Sequence, residues 1–261
     1  MRTVRLLGQE FADIDAPTVA SWLAQRPATA PFGYVVTPNA DHLVRLHRRP
    51  ELAPLYRDAM LRLLDSRVVA RAARLIGLQV PSVAPGSDLT ELLLSQHLRA
   101  GEHITIVGLR SQCLPALIAR CGLTALAHYD PPCGFECDRT AMTQAVEFVL
   151  AHPARFVFLA VGSPRQEILA AAIHATGRAT GVGLCIGASL EFVAGHVPRA
   201  PLWMQRSGLE WLHRLAREPR RLAGRYLRDC PTVLALLLRE LWQVQRPVSV
   251  AGANRPGRSK E

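Results

Sequence analysis

Three short stretches of the chain combine residue types and spacings that suit chemistry. The first is Val161-Gly162-Ser163-Pro164-Arg165-Gln166-Glu167, where a small-residue turn, a helix-starting proline and polar side chains follow an apolar run. Its glycine and serine let a ligand approach backbone amides at a helix N-terminus, where anions are favoured. The second is Thr37-Pro38-Asn39-Ala40-Asp41, directly after the apolar Tyr34-Val35-Val36. Its hydroxyl and amide either cap the helix that follows or offer hydrogen bonds to a ligand, and the residues alone leave both readings open. The third is Asp65, set in the mostly apolar Leu61 to Val69. Such a carboxylate is usually paired or capping, but one that lines a cleft gains proton affinity and suits general base work.

Other chemistries lack their signatures. There is no GxxxxGK[ST] phosphate loop, no GxGxxG after the first strand and no GxSxG elbow. The nine histidines show no HxxxH pair, and of the six cysteines only Cys133 and Cys137 are close, without a second pair. The cysteines read as free thiols of a reducing compartment, and no metal site or cofactor is expected.

The elements that must position these residues follow an α/β rhythm. A strand-like start leads to a helix near Asp15-Ala16-Pro17-Thr18, a buried strand at Tyr34 to Val36 and a helix from about Ala40. The apolar His103 to Val107 runs into Gly108 and a helix over Gln112 to Arg120. An extended Thr124 to His128, a helix from Asp138 to Leu150, a strand over Arg155 to Val161 and a glycine-bearing strand over Gly181 to Gly187 complete the series. Apolar strands separated by helices predict a Rossmann-like parallel sheet flanked by helices, with ligands beyond the strands' carboxyl ends. The loops after Val36, Val107 and Val161 are thus the expected site.

At 261 residues, 49% hydrophobic and 20% charged, the chain is globular. The expected division is an α/β core over 1–195, an arginine-rich helical appendage over 196–246 and a disordered tail over 247–261. From His196 onward thirteen basic residues face five acidic ones, which is +8 of the net +10. A basic quarter of that kind suits contact with something anionic. Arg214, Arg217, Arg221, Arg225 and Arg228 form one stripe, Trp211, Leu215, Leu222 and Tyr226 an apolar one, and Pro219 kinks or restarts the helix. Two readings stand for this segment: a helical pair docked on the core, or an amphipathic surface lying on a bilayer. No apolar run reaches the roughly 20 residues of a membrane span, and the N-terminus turns polar too early for a secretory signal, so a cytoplasmic protein is expected.

Taken in order, these motifs resemble the WecG/TagA/CpsF family of bacterial glycosyltransferases, family 26 in the usual classification. The resemblance covers roughly residues 3–230. It rests on Thr37 and Asn39, Asp65, Leu75-Ile76-Gly77, Gly86-Ser87-Asp88-Leu89, Ile106-Val107-Gly108 and the loop Val161 to Glu167. Ala194-Gly195, Arg199-Ala200-Pro201, Gly208-Leu209-Glu210-Trp211, Glu218-Pro219-Arg220-Arg221 and Arg225-Tyr226-Leu227 complete the set.

The resemblance implies an inverting, metal-independent enzyme that moves a sugar from a UDP-sugar donor to a polyprenyl-diphosphate-linked sugar acceptor at the inner face of the cell membrane. Cell-surface polysaccharide synthesis, an exopolysaccharide by preference, is the implied setting. It implies Asp65 as the base, with Thr37, Asn39, Gly162, Gln166 and Glu167 at the substrates. Arg214, Arg221 and Arg225 would neutralise the leaving diphosphate while the appendage meets an anionic membrane surface. Nucleic acid is not an expected partner, and self-association is left open.

Three departures stand out. Asp65 is followed by Ser66 rather than glycine, Ser82-Val83 replaces the family's Arg-Val, and Gly187-Ala188-Ser189-Leu190-Glu191 replaces its G-G-x-F-D. They keep a non-catalytic scaffold alive as the alternative, and the basic stripe leaves a nucleic-acid-binding protein as a second one.

Overall fold

The computed structural model describes residues 1–245, excluding the side chains of Leu202, Arg206, Arg214, Arg221, Leu222 and Arg225. The tail expected over 247–261 lies outside the described residues. Strands β1 (Thr3–Leu6) and β2 (Gln9–Ala12) form an antiparallel hairpin. Then come α1 (Ala16–Ala24), β3 (Gly33–Val36), α2 (Ala40–Arg48), α3 (Ala53–Arg57), β4 (Leu61–Arg62), α4 (Arg67–Leu75) and α5 (Gly86–Leu92). The second half contains β5 (His103–Gly108), α6 (Leu114–Cys121), β6 (Ala125–Tyr129), α7 (Arg139–Ala151), β7 (Phe156–Ala160), α8 (Arg165–Ala175), β8 (Val182–Cys185) and α9 (Ser189–Val193). Three helices end the described chain: α10 (Leu202–Arg206), α11 (Glu210–Arg217) and α12 (Pro219–Gln245).

The main sheet has six parallel strands in the order β4-β3-β8-β7-β5-β6. Alternation along its strands supplies two cores, because successive side chains leave opposite faces. Ile104, Ile106, Phe156, Phe158 and Leu184 meet Val19, Leu23, Leu89, Leu117 and Leu190 of α1, α5, α6 and α9. Tyr34, Val36, Val107, Val157 and Leu159 meet Tyr56, Val149, Leu169 and Ile173 of α3, α7 and α8. The expected Rossmann-like parallel sheet is thus the observed one. Several helix starts follow from local chemistry: Asp15 accepts from Thr18 N at 2.9 Å, and Asp138 from Thr140 N at 2.8 Å.

A third apolar cluster joins the C-terminal helix to the core. Val233, Leu237 and Leu241 of α12 pack with Leu6 and Phe11 of the hairpin, Leu43 and Val44 of α2, and Val69, Ala70 and Ala73 of α4. Arg48 pairs with Asp229 at 3.3 Å, and Glu240 Oε2 accepts from Leu7 N at 2.5 Å. Pro219 restarts the helix, and the Trp211 and Tyr226 rings of the apolar stripe meet edge-on, with centroids 5.8 Å apart. These contacts dock α12 on the core, while Trp203, Leu227, Leu234, Leu238, Trp242 and Val244 remain exposed. Among the described residues, no helix is long and apolar enough to cross a membrane.

Candidate functional site

The six parallel strands deliver their following loops to one edge, and a cleft of about 480 Å³ opens there over β5, β6, β7 and β8. Its walls include Gly108 to Arg110, Asp130 to Cys133, Phe135, Gly162, Arg165, Gly187, Ala188 and Glu191. Gly162 holds φ at +80°, a left-handed turn that brings Arg165 back over the loop. Arg165 has no acidic partner among the described residues, so its guanidinium is available to an anion. Arg110 faces it from the β5 loop and pairs with Glu191 at 3.2 Å.

A continuous run of contacts links this cleft to Asp65, the residue three positions past β4. Gly187 N donates to Gln166 Oε1 at 2.8 Å, and Gln166 Nε2 donates to Glu167 Oε1 at 2.9 Å. Thr37 Oγ1, just past β3, donates to the Cys185 carbonyl at the end of β8, at 3.3 Å. Gly86 N donates to Asp65 Oδ2 at 3.3 Å, and a Cβ on Gly86 would lie 2.8 Å from Thr37 Oγ1. Only glycine lets α5 start so close to Thr37. Asp65 is half-buried, and its own N–H donates to the Pro38 carbonyl at 2.9 Å. With strands about 4.8 Å apart, Asp65 lies roughly 10 Å along the sheet edge from the loop after β8.

The other expected site residues divide by position. Gly162 lines the cleft. Gln166 and Glu167 are buried, 2% and 0% exposed, so they stand behind its wall. Asn39 Oδ1 accepts from Asp41 N at 3.0 Å and His42 N at 3.3 Å, so capping α2 occupies its oxygen and leaves the amide hydrogens for a ligand. Arg214, Arg221 and Arg225 lie on α11 and α12, with side chains outside the described ones. Ser163 is held by Arg45 Nη1 at 2.7 Å and lies 3.4 Å from Tyr56 OH. Burial, then the Glu167 charge, pushes the Tyr56 phenol well above its ordinary range, so it stays protonated.

Sequence reasoning missed Arg110, Asp130, Arg165 and Glu191. The signal was present: Arg110 and Asp130 directly follow strand-like runs, and Arg165 belongs to the loop already singled out. Two departures acquire local roles. Ser66 Oγ caps α4 through Val69 N at 3.2 Å, and Ser82 donates its N–H and hydroxyl to Asp13 Oδ1, both at 2.9 Å. Those two bonds hold the Asp13 carboxyl below its ordinary value.

Fold and site define a Rossmann-like α/β protein with a cleft at the strands' carboxyl ends, lined by Arg110, Arg165, Asp130 and Glu191, and a carboxylate farther along the same edge. A family model, Glycosyl transferase WecG/TagA/CpsF family, matches residues 4–247, nearly the whole chain, and the protein belongs to that family. The resemblance read from the ordered motifs therefore holds. Membership makes the chain a glycosyltransferase and implies a nucleotide-sugar donor and a glycan acceptor.

Proposed function

We propose that this glycosyltransferase is an inverting, metal-independent enzyme that transfers a sugar from a UDP-sugar to a hydroxyl of a polyprenyl-diphosphate-linked sugar, in cell-surface polysaccharide synthesis. The observation that carries the reading is the placement of Arg165, which has no acidic partner among the described residues, in a cleft whose wall connects through a run of contacts to Asp65. The nucleoside occupies the β5–β6 end and the diphosphate lies against Gly162 and Arg165. The sugar then spans the stretch toward Asp65. The acceptor oxygen attacks C1 from the face opposite UDP and its proton passes to the Asp65 carboxylate. As the new C–O bond forms, the bond from C1 to the phosphate oxygen breaks, and UDP leaves with the electron pair. Guanidinium groups stabilise the charge that develops on the diphosphate. Arg165 and Arg110 do so from the core, and Arg214, Arg221 and Arg225 from the appendage.

The acceptor is a lipid, and the exposed Trp203, Leu234, Leu238 and Trp242 beside exposed Arg220, Arg228 and Arg239 suit peripheral attachment to an anionic bilayer. Flotation with anionic but not zwitterionic vesicles is the expected behaviour, and failure to float with either removes the attachment. The main test incubates purified protein with UDP-glucose, UDP-glucuronic acid, UDP-N-acetylglucosamine, UDP-N-acetylmannosamine or its uronic acid and short-chain polyprenyl-diphosphate-sugar acceptors. One productive pair with inverted product is expected. UDP binding without turnover of any donor would instead favour the scaffold.

A further inference from the structure

Glu167 presents a physical anomaly. It is wholly buried, and one carboxylate oxygen, Oε2, has no hydrogen-bond partner among the described residues. Tyr34, Tyr56 and Cys185 bring no positive charge to it, and their own acidities are all suppressed by burial together with the Glu167 charge. A leucine would fill the space without leaving a charge half-satisfied in a low-dielectric interior. An unsatisfied buried group in a folded protein calls for a reason.

Its bond to Gln166 supplies the reason. Glu167 Oε1 accepts from Gln166 Nε2, which directs Gln166 Oε1 at the N–H of Gly187. Gln166 stands in the first turn of α8, directly after the β7 loop, and Gly187 belongs to the loop after β8, with φ at +55°. The amide of Gln166 is thus a strut between two walls of the cleft. The buried carboxylate selects which end of that amide faces Gly187, because a carboxylate accepts only from the NH₂ end.

We propose that Glu167 is a positioning residue that, acting through Gln166, fixes the Gly187 wall of the donor cleft, and that it never contacts the substrate itself. This rests on the reading of the cleft as the nucleotide-sugar site, so the test uses one measurement that is independent of any ligand. That measurement is hydrogen exchange of the Gly187 amide by NMR, read beside UDP affinity and the donor kcat/KM.

Glu167→Leu is expected to speed Gly187 exchange and to lower the donor kcat/KM by about tenfold to a hundredfold, the scale of an ångström-level misplacement. Gln166→Glu sets two carboxylates side by side and removes the donor, with a loss at least as large. The exchange of roles in Gln166→Glu/Glu167→Gln restores the bond pattern, because the carboxylate introduced at position 166 accepts from Gly187 N–H and from the amide introduced at position 167. Recovery of Gly187 protection and of kcat/KM in that double variant supports the strut. Recovery of protection without kcat/KM shows that holding the Gly187 wall is not what the pair contributes to turnover and overturns the proposal. Wild-type Gly187 protection in folded Glu167→Leu also overturns it. If protection follows the expected order while UDP binds no variant and not the wild type, the strut stands and the reading of the cleft falls.

Discussion

The two edges of the main sheet use the same side chains to opposite ends. At the amino edge, Arg155, only 4% exposed, forms a bidentate pair with Glu102 at 2.6 and 2.5 Å. Two further hydrogens go to the Ala24 and His97 carbonyls, and its guanidinium stacks on Phe156, 4.6 Å from the ring centroid. This buried ion pair is closed on itself. At the carboxyl edge, Arg165 has no acidic partner and Glu167 Oε2 no hydrogen-bond partner among the described residues, Arg110 is more than half exposed, and the non-glycine Leu109 sits at φ +67°. At this edge, unspent hydrogen-bonding capacity and backbone strain lie where a ligand can use them. The amino edge shows what the same chemistry does when it serves stability alone.

Four substitutions or conditions test that contrast. Asp65→Asn, which keeps an acceptor for Gly86 N–H, should slow transfer by about 10² to 10⁴-fold, the range expected for a general base, while UDP affinity and thermal stability stay near wild type. Unchanged turnover would take Asp65 out of the chemistry. At the opposite edge, Arg155→Met strands the Glu102 carboxylate and should cost about 3–5 kcal/mol of stability in urea titration. Pairing it with Glu102→Leu should return much of that loss. Equal losses in the single and double variants would show that the pair matters through packing rather than charge.

Arg165→Ala should reverse this pattern. It removes a charge-assisted contact worth about 1.5–3 kcal/mol to bound UDP, a fall of roughly tenfold to a hundredfold in affinity by calorimetry. Stability should not change, because no described acid depends on it.

The smallest effect is on pH dependence. Burial pushes the Glu102 carboxyl up, but the bonds from Arg155 and Arg99 N outweigh it, and the net value falls below the ordinary 4.5. A depressed carboxyl contributes stability above the unfolded-state value and loses it as pH falls through the folded one. Wild type should therefore lose more stability between about pH 5 and pH 3 than Arg155→Met/Glu102→Leu, and equal slopes would assign the acid sensitivity to other groups.

Much of this architecture was legible in the sequence because periodicity survives without tertiary information. Apolar runs such as Ile104-Thr105-Ile106-Val107 and Phe156 to Leu159 are strands buried on both faces, and Asp15 and Asp138 mark helix starts through bonds only two or three residues long. The ordered motifs likewise carried the family. Two-residue β4 escaped, because Leu61-Arg62 is too short to show a period and is a strand only by pairing with Val35 and Val36. Pro231 lies inside α12, where the missing N–H argues for a break. The helix continues because Val233, Leu237 and Leu241 are buried against the hairpin, α2 and α4, which no local pattern reveals.

The site divides in the same way. Sequence alone determined which residue types stand where: a hydroxyl and an amide after the Tyr34 to Val36 strand, a carboxylate within the apolar Leu61 to Val69, and a glycine, an arginine and a glutamine after the Phe156 to Ala160 strand. Strand order decided the rest. Placing β8 between β3 and β7 sets Thr37 against the Cys185 carbonyl and Gln166 against Gly187, partners 148 and 21 residues apart in the chain. The same packing buried Glu167 behind the wall, although it reads as one more polar residue of an exposed loop. Residue chemistry is local, but whether a charge faces solvent, a partner or nothing depends on which distant segments the sheet brings beside it.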